Sequence, residues 1–261
     1  MKTRVLVFAN NKGGSGKSTT CANVAYCLSC LGKKVLAVDG DMQMNLSLSF
    51  FEEDEVMAFN EGENNLYRVI LNKGGFEKSI FPTRYEGLDL VPSSMLMSGI
   101  EEILYKSSRN TEVLRSAMQD VISAARYDYF LIDAPPTLGL WVRNILNVCD
   151  GVVIPVEASP WGLFGLANMI DYVRDASKDN KKAKICGIVV TKVDVRKNYF
   201  HQTEEMLKGM KGIKVFKNHI RVDSNIEWAQ DNSMPVGAYM KSSRSAKEYM
   251  ELAKEISADK G

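Results

Sequence analysis

The residues Lys12-Gly13-Gly14-Ser15-Gly16-Lys17-Ser18-Thr19 decide the fold of this 261-residue chain. They follow a strand-like apolar run at 4–10 and open a helical pattern at 18–31. Their spacing is that of the phosphate-binding loop G-x-x-x-x-G-K-[ST], except that Asn11 stands at the position of the first glycine. In such a turn the glycines supply conformational freedom, and the backbone N–H groups at the helix start attract anions.

From this stretch we predict that the chain binds a nucleotide through its phosphates. Lys17 would neutralise the β- and γ-phosphates, and Ser18 would place its hydroxyl on Mg²⁺. The alternative is a glycine-rich turn without a ligand, which leaves the Gly-Lys-Ser-Thr ending at a helix start unexplained. The predicted nucleotide-binding residues of the loop are Gly13, Gly14, Ser15, Gly16, Lys17, Ser18 and Thr19.

Short apolar runs alternate with helical patterns along most of the chain. The predicted strands are 4–10, 34–39, 88–92, 129–133, 151–157, 185–191 and 215–220. The predicted helices are 18–31, 111–125, 163–175, 199–210 and 243–256. Continuous apolar strands are typical of parallel sheets covered on both faces. We therefore expect a single α/β domain over residues 1–261, with a doubly wound, mostly parallel sheet flanked by helices.

Two of the predicted strands end in aspartates. Asp39 closes the run at 34–39, with Asp41 two residues later, and Asp133 closes the run at 129–133. The carboxyl ends of the strands are where the crevice of an open α/β sheet lies. An apolar strand that ends in Asp, in register with a phosphate loop, predicts that Asp133 holds Mg²⁺ through water.

Three segments together resemble the deviant Walker A ATPases of the ParA/Soj family, a branch that includes MinD and the nitrogenase iron protein. The first is the loop at 12–19, with its extra lysine at Lys12. The second, Asp-Gly-Asp-Met-Gln-Met-Asn at 39–45, is similar to the family's D-x-D-x-Q-x-N switch, with Met42 and Met44 where Pro and Gly are usual. The third is the strand ending in Asp133 and the Pro-Pro that follows it.

The resemblance implies roles for further residues. Lys12 would reach across a nucleotide-sandwich dimer and stabilise transition-state charge on the partner's phosphates. Asp41 would position or deprotonate the attacking water, and Asp39 would lie near the Mg²⁺ shell. Arg221 falls in a segment that partly resembles the adenine-side loop of the family.

At the level of function, the resemblance implies an ATP- and Mg²⁺-dependent ATPase of DNA partition. Its expected partners are a second copy of the chain when ATP is bound, non-specific DNA, and a ParB-like centromere-binding protein that stimulates hydrolysis. The alternatives are the same switch with another cargo, a non-hydrolysing scaffold, and a ligase of the dethiobiotin-synthetase type. The presence of Lys12 distinguishes the ATPase from the ligase, because a ligase does not require this lysine.

The charge of the chain is balanced overall but uneven along its length. The 33 Lys and Arg residues against 32 Asp and Glu residues give a formal charge of +1, which argues against a constitutive nucleic-acid coat. Residues 178–221 nevertheless hold 12 basic and four acidic residues, whereas 52–63 hold six acidic and no basic ones. We interpret 52–63 as a solvated excursion. The predicted DNA contacts, against the alternative of a solvated surface, are Arg196, Lys197, Lys214, Lys217, Lys241, Arg244 and Lys247.

Other classes are less well supported. Cys27 and Cys30 have metal-ligand spacing, but no second pair or nearby His completes a site, so we interpret both as packing residues. An amphipathic pattern at 245–256 carries both signs of charge, which favours packing over membrane insertion. Only three residues precede the first predicted strand, so we expect no helix-turn-helix. We expect a cytoplasmic protein that associates with the nucleoid when ATP is bound.

Overall fold

A seven-stranded sheet forms the centre of the molecule. The computed structural model describes residues 3–72, 74–159, 161–163, 165–210 and 212–259. Phe164, which falls in the helix predicted at 163–175, lies outside the described residues. So do the chain ends and Lys211, one of the 12 basic residues counted at 178–221. Within the described residues the strands are β1 (Arg4–Phe8), β2 (Val35–Asp39), β3 (Phe81–Pro82), β4 (Leu88–Val91), β5 (Tyr129–Asp133), β6 (Gly151–Glu157) and β7 (Lys184–Thr191).

The strands lie in the order β3-β4-β2-β5-β1-β6-β7. Every neighbouring pair is parallel except β3 and β4, which are antiparallel. The predicted fold class, a doubly wound and mostly parallel sheet, is therefore confirmed. β1 lies between β5 and β6, so the loop that follows β1 faces the loops that follow both neighbours.

Helices cover both faces of this sheet. They are α1 (Lys17–Cys30), α2 (Glu53–Glu61), α3 (Leu66–Ile70), α4 (Ile100–Tyr105), α5 (Val113–Ser123), α6 (Leu140–Val148), α7 (Leu166–Ala176), α8 (Asn198–Lys208), α9 (Ser224–Asp231), α10 (Val236–Tyr239) and α11 (Arg244–Ala258). Leu6 and Phe8 of β1 pack with α1 and α11, whereas Val5 and Val7 pack with α5, α6 and α7. Strand alternation thus divides the core into two apolar layers. No helix within the described residues is long and apolar enough to cross a membrane.

The predicted strand at 215–220 does not form. Val215 makes only an isolated bridge with Ile188 of β7. The N–H of Phe216 donates to the carbonyl of Ile188, but the next such bond to β7 runs from Ile220 to Val190. Four residues of the segment therefore pass two residues of β7, and the ladder loses its register between these contacts. The N–H of Lys217 donates to the carboxylate of Glu255 on α11, at 3.1 Å from each of its oxygens.

The acidic stretch at 52–63 is solvated, as predicted, but it contains helix α2 rather than an irregular excursion. The carboxylate of Glu55 accepts a hydrogen bond from the backbone N–H of Glu52 at 3.0 Å, as in a capping box. Acidic residues in the first turn also complement the helix dipole. Val56 is buried and anchors the helix to the core.

Candidate functional site

The phosphate loop is held from two sides between β1 and α1. The side-chain amide of Asn10 donates to the carbonyl of Pro155 on β6 at 2.7 Å, and its oxygen accepts from the N–H of Lys12 at 3.0 Å. The hydroxyl of Thr191, at the end of β7, donates to the carbonyl of Ser15 at 2.9 Å. The ends of β6 and β7 therefore fix the loop.

Gly14 and Gly16 carry the unusual backbone of the loop. Their φ angles are +72° and +84°, in the left-handed region that favours glycine. Asn11, which replaces the first glycine of the motif, has no such angle, so the substitution carries no backbone penalty of this kind. A β-carbon on Gly165 would lie 2.3 Å from the Asn11 side-chain oxygen, so close packing against Asn11 requires glycine there.

Lys17 is buried beneath the loop, with its ammonium 3.2 Å from the carbonyl oxygen of Lys12. Burial lowers the pKa of Lys17 from its usual value, and the carboxylates of Asp133 and Asp41 counter that effect. The first turn of α1 thus presents a cation, the Ser18 hydroxyl and free backbone N–H groups at one point. This arrangement can hold a polyphosphate.

Asp39 and Asp133 are directly opposite each other at the ends of the paired strands β2 and β5. Both are fully buried, but their hydrogen bonding differs. Asp39 accepts from the N–H and the hydroxyl of Ser47, at 2.8 and 2.7 Å, and from the N–H of Asp41 at 3.2 Å. Within the described residues, neither carboxylate oxygen of Asp133 has a hydrogen-bond partner.

The electrostatics of the two aspartates follow from this burial. Desolvation raises the pKa of Asp39 to about 6, although its hydrogen bonds from Ser47 counter the effect. Desolvation and the charge of Asp39 raise the pKa of Asp133 well above its usual value, while Ser18 and Lys17 act in the opposite direction. A buried carboxylate without partners is costly unless a cation satisfies it. Asp133 and Ser18 therefore fit a Mg²⁺ ion, directly or through water.

The loop after β2 places Asp41 in the cavity that Lys17 and Ser18 of the phosphate loop also line. Its carboxylate accepts from the N–H of Gln43 at 3.2 Å, and its carbonyl accepts from the N–H of Met44 at 3.0 Å. Met44 has a φ of +54°, the left-handed conformation for which glycine is usual, and its side chain is buried. The turn therefore forms despite the methionine, because packing of the side chain offsets the backbone strain.

The segment after β5 is connected to the loop after β2. The indole N–H of Trp141 on α6 donates to the carbonyl of Gly40 at 2.8 Å. The carboxylate of Glu101 on α4 accepts from the N–H groups of Leu140 and Trp141, at 2.9 and 3.1 Å, and so caps α6. A movement of the loop after β2 would be transmitted to α6 through the bond between Gly40 and Trp141.

Lys12 makes an ion pair within its own chain. Its ammonium lies 2.9 Å from a carboxylate oxygen of Glu157, at the end of β6, and 3.4 Å from the hydroxyl of Ser159. Both side chains of the ion pair are 27% exposed. The ammonium of Lys12 is thus held at the end of β6.

Arg221 lines the same cavity as the phosphate loop. The cavity has a volume of about 550 Å³ and also includes Lys17, Ser18, Thr19 and Asp41 in its lining. The guanidinium and the backbone N–H of Arg221 both bind the carboxylate of Glu248 on α11. A cavity of this size suits a nucleotide. The structure thus brings together the predicted residues of the phosphate loop, Asp39, Asp41, Asp133 and Arg221.

The predicted DNA contacts divide into two groups. Arg196 pairs with Asp194, Lys214 with Asp259, and Arg244 donates to the carbonyl of Val222. The other four are exposed and form no ion pair within the part of the chain that the structure describes: Lys197, Lys217, Lys241 and Lys247. The free positive charge is therefore smaller than the count of basic residues indicates.

Sequence reasoning missed the residues that hold the site in place. Ser47 binds Asp39, Thr191 binds Ser15, Glu157 binds Lys12 and Glu248 binds Arg221. Thr191 and Glu157 could have been found from the sequence, because each is the last residue of a predicted strand, and the crevice of an α/β sheet lies at the carboxyl ends of its strands. Ser47 and Glu248 could not, since nothing in the sequence pairs them with their partners.

Comparison with known proteins agrees with this geometry. A family described as an AAA domain, AAA_31, matches residues 3–185. The sporulation initiation inhibitor protein Soj of Bacillus subtilis is 33% identical over 258 residues, which cover 98% of this chain and 99% of Soj. A solved plasmid partition protein of Borrelia burgdorferi, bound to AMPPNP, is 25% identical with a TM-score of 0.81, over 99% of each chain. Cobyrinic acid a,c-diamide synthase of Mycobacterium smegmatis, solved with ADP and magnesium, has the same TM-score at 24% identity, over 97% of this chain and 93% of that one.

The parallel sheet, with its glycine-rich turn between β1 and α1, defines a P-loop NTPase. Within that class the fold does not separate partition ATPases from the synthase, which shares the fold at 24% identity. The sequence identity to Soj does separate them. The chain belongs to the AAA_31 family and, within it, to the ParA/Soj family of partition ATPases.

Proposed function

We propose that the protein is a Mg²⁺-dependent ATPase that acts as an ATP-gated dimeric switch in DNA partition. The observation that carries the proposal is the buried, unpartnered carboxylate of Asp133 beside Ser18 and Lys17. A metal-bound polyphosphate supplies both charges that this arrangement lacks, a cation for Asp133 and an anion for Lys17 and the backbone N–H groups.

The roles of the residues follow from their contacts. Ser18 and Asp133 would hold the magnesium ion, which would neutralise phosphate charge. Asp39 would lie near the ion, and through its bonds to Ser47 and Asp41 it fixes the loop after β2. Asp41 orients the attacking water or accepts its proton. Arg221, held by Glu248, faces the base side of the nucleotide.

Dimerisation is proposed from Lys12. In this chain its ammonium is paired with Glu157 at the end of β6. A second copy facing the cavity would offer an anionic acceptor, the partner's nucleotide phosphates, and Lys12 would stabilise charge there. We expect the dimer to bind DNA non-specifically through Lys197, Lys217, Lys241 and Lys247, in the cytoplasm and at the nucleoid. A ParB-like protein would stimulate hydrolysis and release.

The test is phosphate release by the purified protein with ATP, with and without Mg²⁺. Release that requires Mg²⁺ and no added co-substrate supports the ATPase. ATP binding without release would favour the scaffold. Release only on addition of a carboxylate substrate would favour the ligase.

A further inference from the structure

Lys192 follows β7 directly and has a φ angle of +52°, a left-handed conformation that is uncommon and strained for a residue with a side chain. The chain on either side is fixed. Thr191 donates its hydroxyl to Ser15 of the phosphate loop at 2.9 Å, and the N–H of Val193 donates to the carbonyl of Ile220 at 3.0 Å. The strain is therefore maintained by bonds to the nucleotide cavity.

The ammonium of Lys192 lies over the phosphate loop. It is 4.0 Å from the point that a β-carbon on Gly14 would occupy. Lys192 lines the cavity of about 550 Å³ and also the neighbouring cavity of about 750 Å³, which Glu157 lines as well. It thus stands between the two.

No protein carboxylate within the described chain pairs with Lys192 at 4 Å or less. Glu157 is the carboxylate whose charge it influences: burial raises the pKa of Glu157, but the bond and charge of Lys12, and then the charge of Lys192, lower it overall. Since Lys12 already occupies Glu157, the ammonium of Lys192 remains available to a ligand.

We propose that Lys192 is a further nucleotide-binding residue, whose ammonium binds oxygens of the ribose–phosphate part of a nucleoside polyphosphate held by the loop. An ammonium offers three donors and no acceptor, so an anionic, oxygen-rich ligand suits it. In this structure the ammonium already lies over Gly14 of the loop. This inference rests on the proposed function and adds a contact on the same chain, distinct from that of Lys12.

The test is Lys192→Asn, measured by calorimetry with ADP and with ATP. Asparagine tolerates the left-handed conformation and removes the charge. We expect affinity for both nucleotides to fall roughly tenfold or more, the effect of losing a charge-assisted hydrogen bond. Thermal stability without nucleotide should be unchanged or higher, because the strain is relieved. Lys208→Asn, on the exposed end of α8, is the matched control and should bind as the wild type does.

Wild-type affinity in Lys192→Asn would overturn the inference. A loss of affinity that parallels a loss of thermal stability would also overturn it, because the lysine would then be structural. The proposed function is tested separately by the wild type and by Lys17→Ala. If the wild type binds, Lys17→Ala does not, and Lys192→Asn binds normally, only the assignment of Lys192 fails.

Discussion

The ammonium of Lys12 lies 2.9 Å from the carboxylate of Glu157, although the two residues belong to the loop after β1 and the end of β6. The pair holds the lysine within its own chain. If Lys12 acts on a partner's phosphates, this bond must break when the dimer forms. Glu157 then opposes dimerisation.

We therefore predict that Glu157→Gln dimerises at a lower ATP concentration than the wild type. A partly exposed pair contributes about 0.2–1 kcal/mol, so the shift should be about 1.5- to fivefold. Sedimentation at graded ATP concentrations measures it. Glu251→Gln, which removes a carboxylate from an exposed pair with Lys254, should not shift the curve.

Lys12 itself provides the second half of this test. Lys12→Ala should weaken the ATP-dependent dimer, and Glu157→Gln should have no further effect in that background. An unchanged sedimentation profile for Lys12→Ala would exclude its role across the interface. Equal effects of Glu157→Gln with and without Lys12 would show that the glutamate acts elsewhere.

Lys17→Ala should abolish detectable ATP binding. The substitution removes the cation beneath the loop and leaves the buried charge of Asp133 without its nearest counter-charge. Calorimetry with Mg-ATP measures the affinity, and circular dichroism confirms that the variant is folded. Lys254→Ala, on the surface of α11, serves as the control. Undiminished affinity in Lys17→Ala would contradict the phosphate site.

Asp41→Ala should form the ATP-dependent dimer but hydrolyse little. Loss of a group that orients or deprotonates water lowers rates by about 10²- to 10⁴-fold. Single-turnover phosphate release gives the rate, and sedimentation gives the dimer. Asp54→Ala, exposed on α2, should retain both. Wild-type turnover in Asp41→Ala would refute the role of Asp41.

Asp133→Asn should raise thermal stability of the metal-free protein at neutral pH. The folded pKa of Asp133 is raised, so its contribution to stability is complete below the unfolded value, about 4, and is lost as pH rises. The advantage of the variant should therefore grow with pH. Asp39, whose pKa is about 6, gives both proteins a further decline between about pH 4 and 6.

Thermal melts from pH 5 to 8, with and without Mg-ATP, measure this difference. Mg-ATP should stabilise the wild type more than Asp133→Asn, because the amide lacks the negative charge of the carboxylate and is a weaker metal ligand. A variant that is less stable at every pH, or that gains as much from Mg-ATP as the wild type, would contradict the assignment of Asp133 as a metal ligand.

The parts of this site that lie within one loop or at the end of one strand could be predicted from the sequence. The loop from Lys12 to Thr19 and the strand ending in Asp133 are local patterns, so the sheet and its crevice could be predicted. The strand predicted at 215–220 was wrong because the contacts of Phe216 and Ile220 with β7 are out of register with each other. Contacts of this kind, including Lys12 with Glu157, depend on the fold and have no local signal.

DNA binding with ATP, with ADP and without nucleotide tests the central claim most directly, since the switch is proposed to bind DNA only as the ATP-bound dimer. We predict binding with ATP alone, which weakens steeply with salt because phosphate contacts release counterions. Lys247→Ala should reduce the salt slope by about 1, whereas Lys254→Ala should not. Absent binding, or equal binding in all three nucleotide states, would contradict the account.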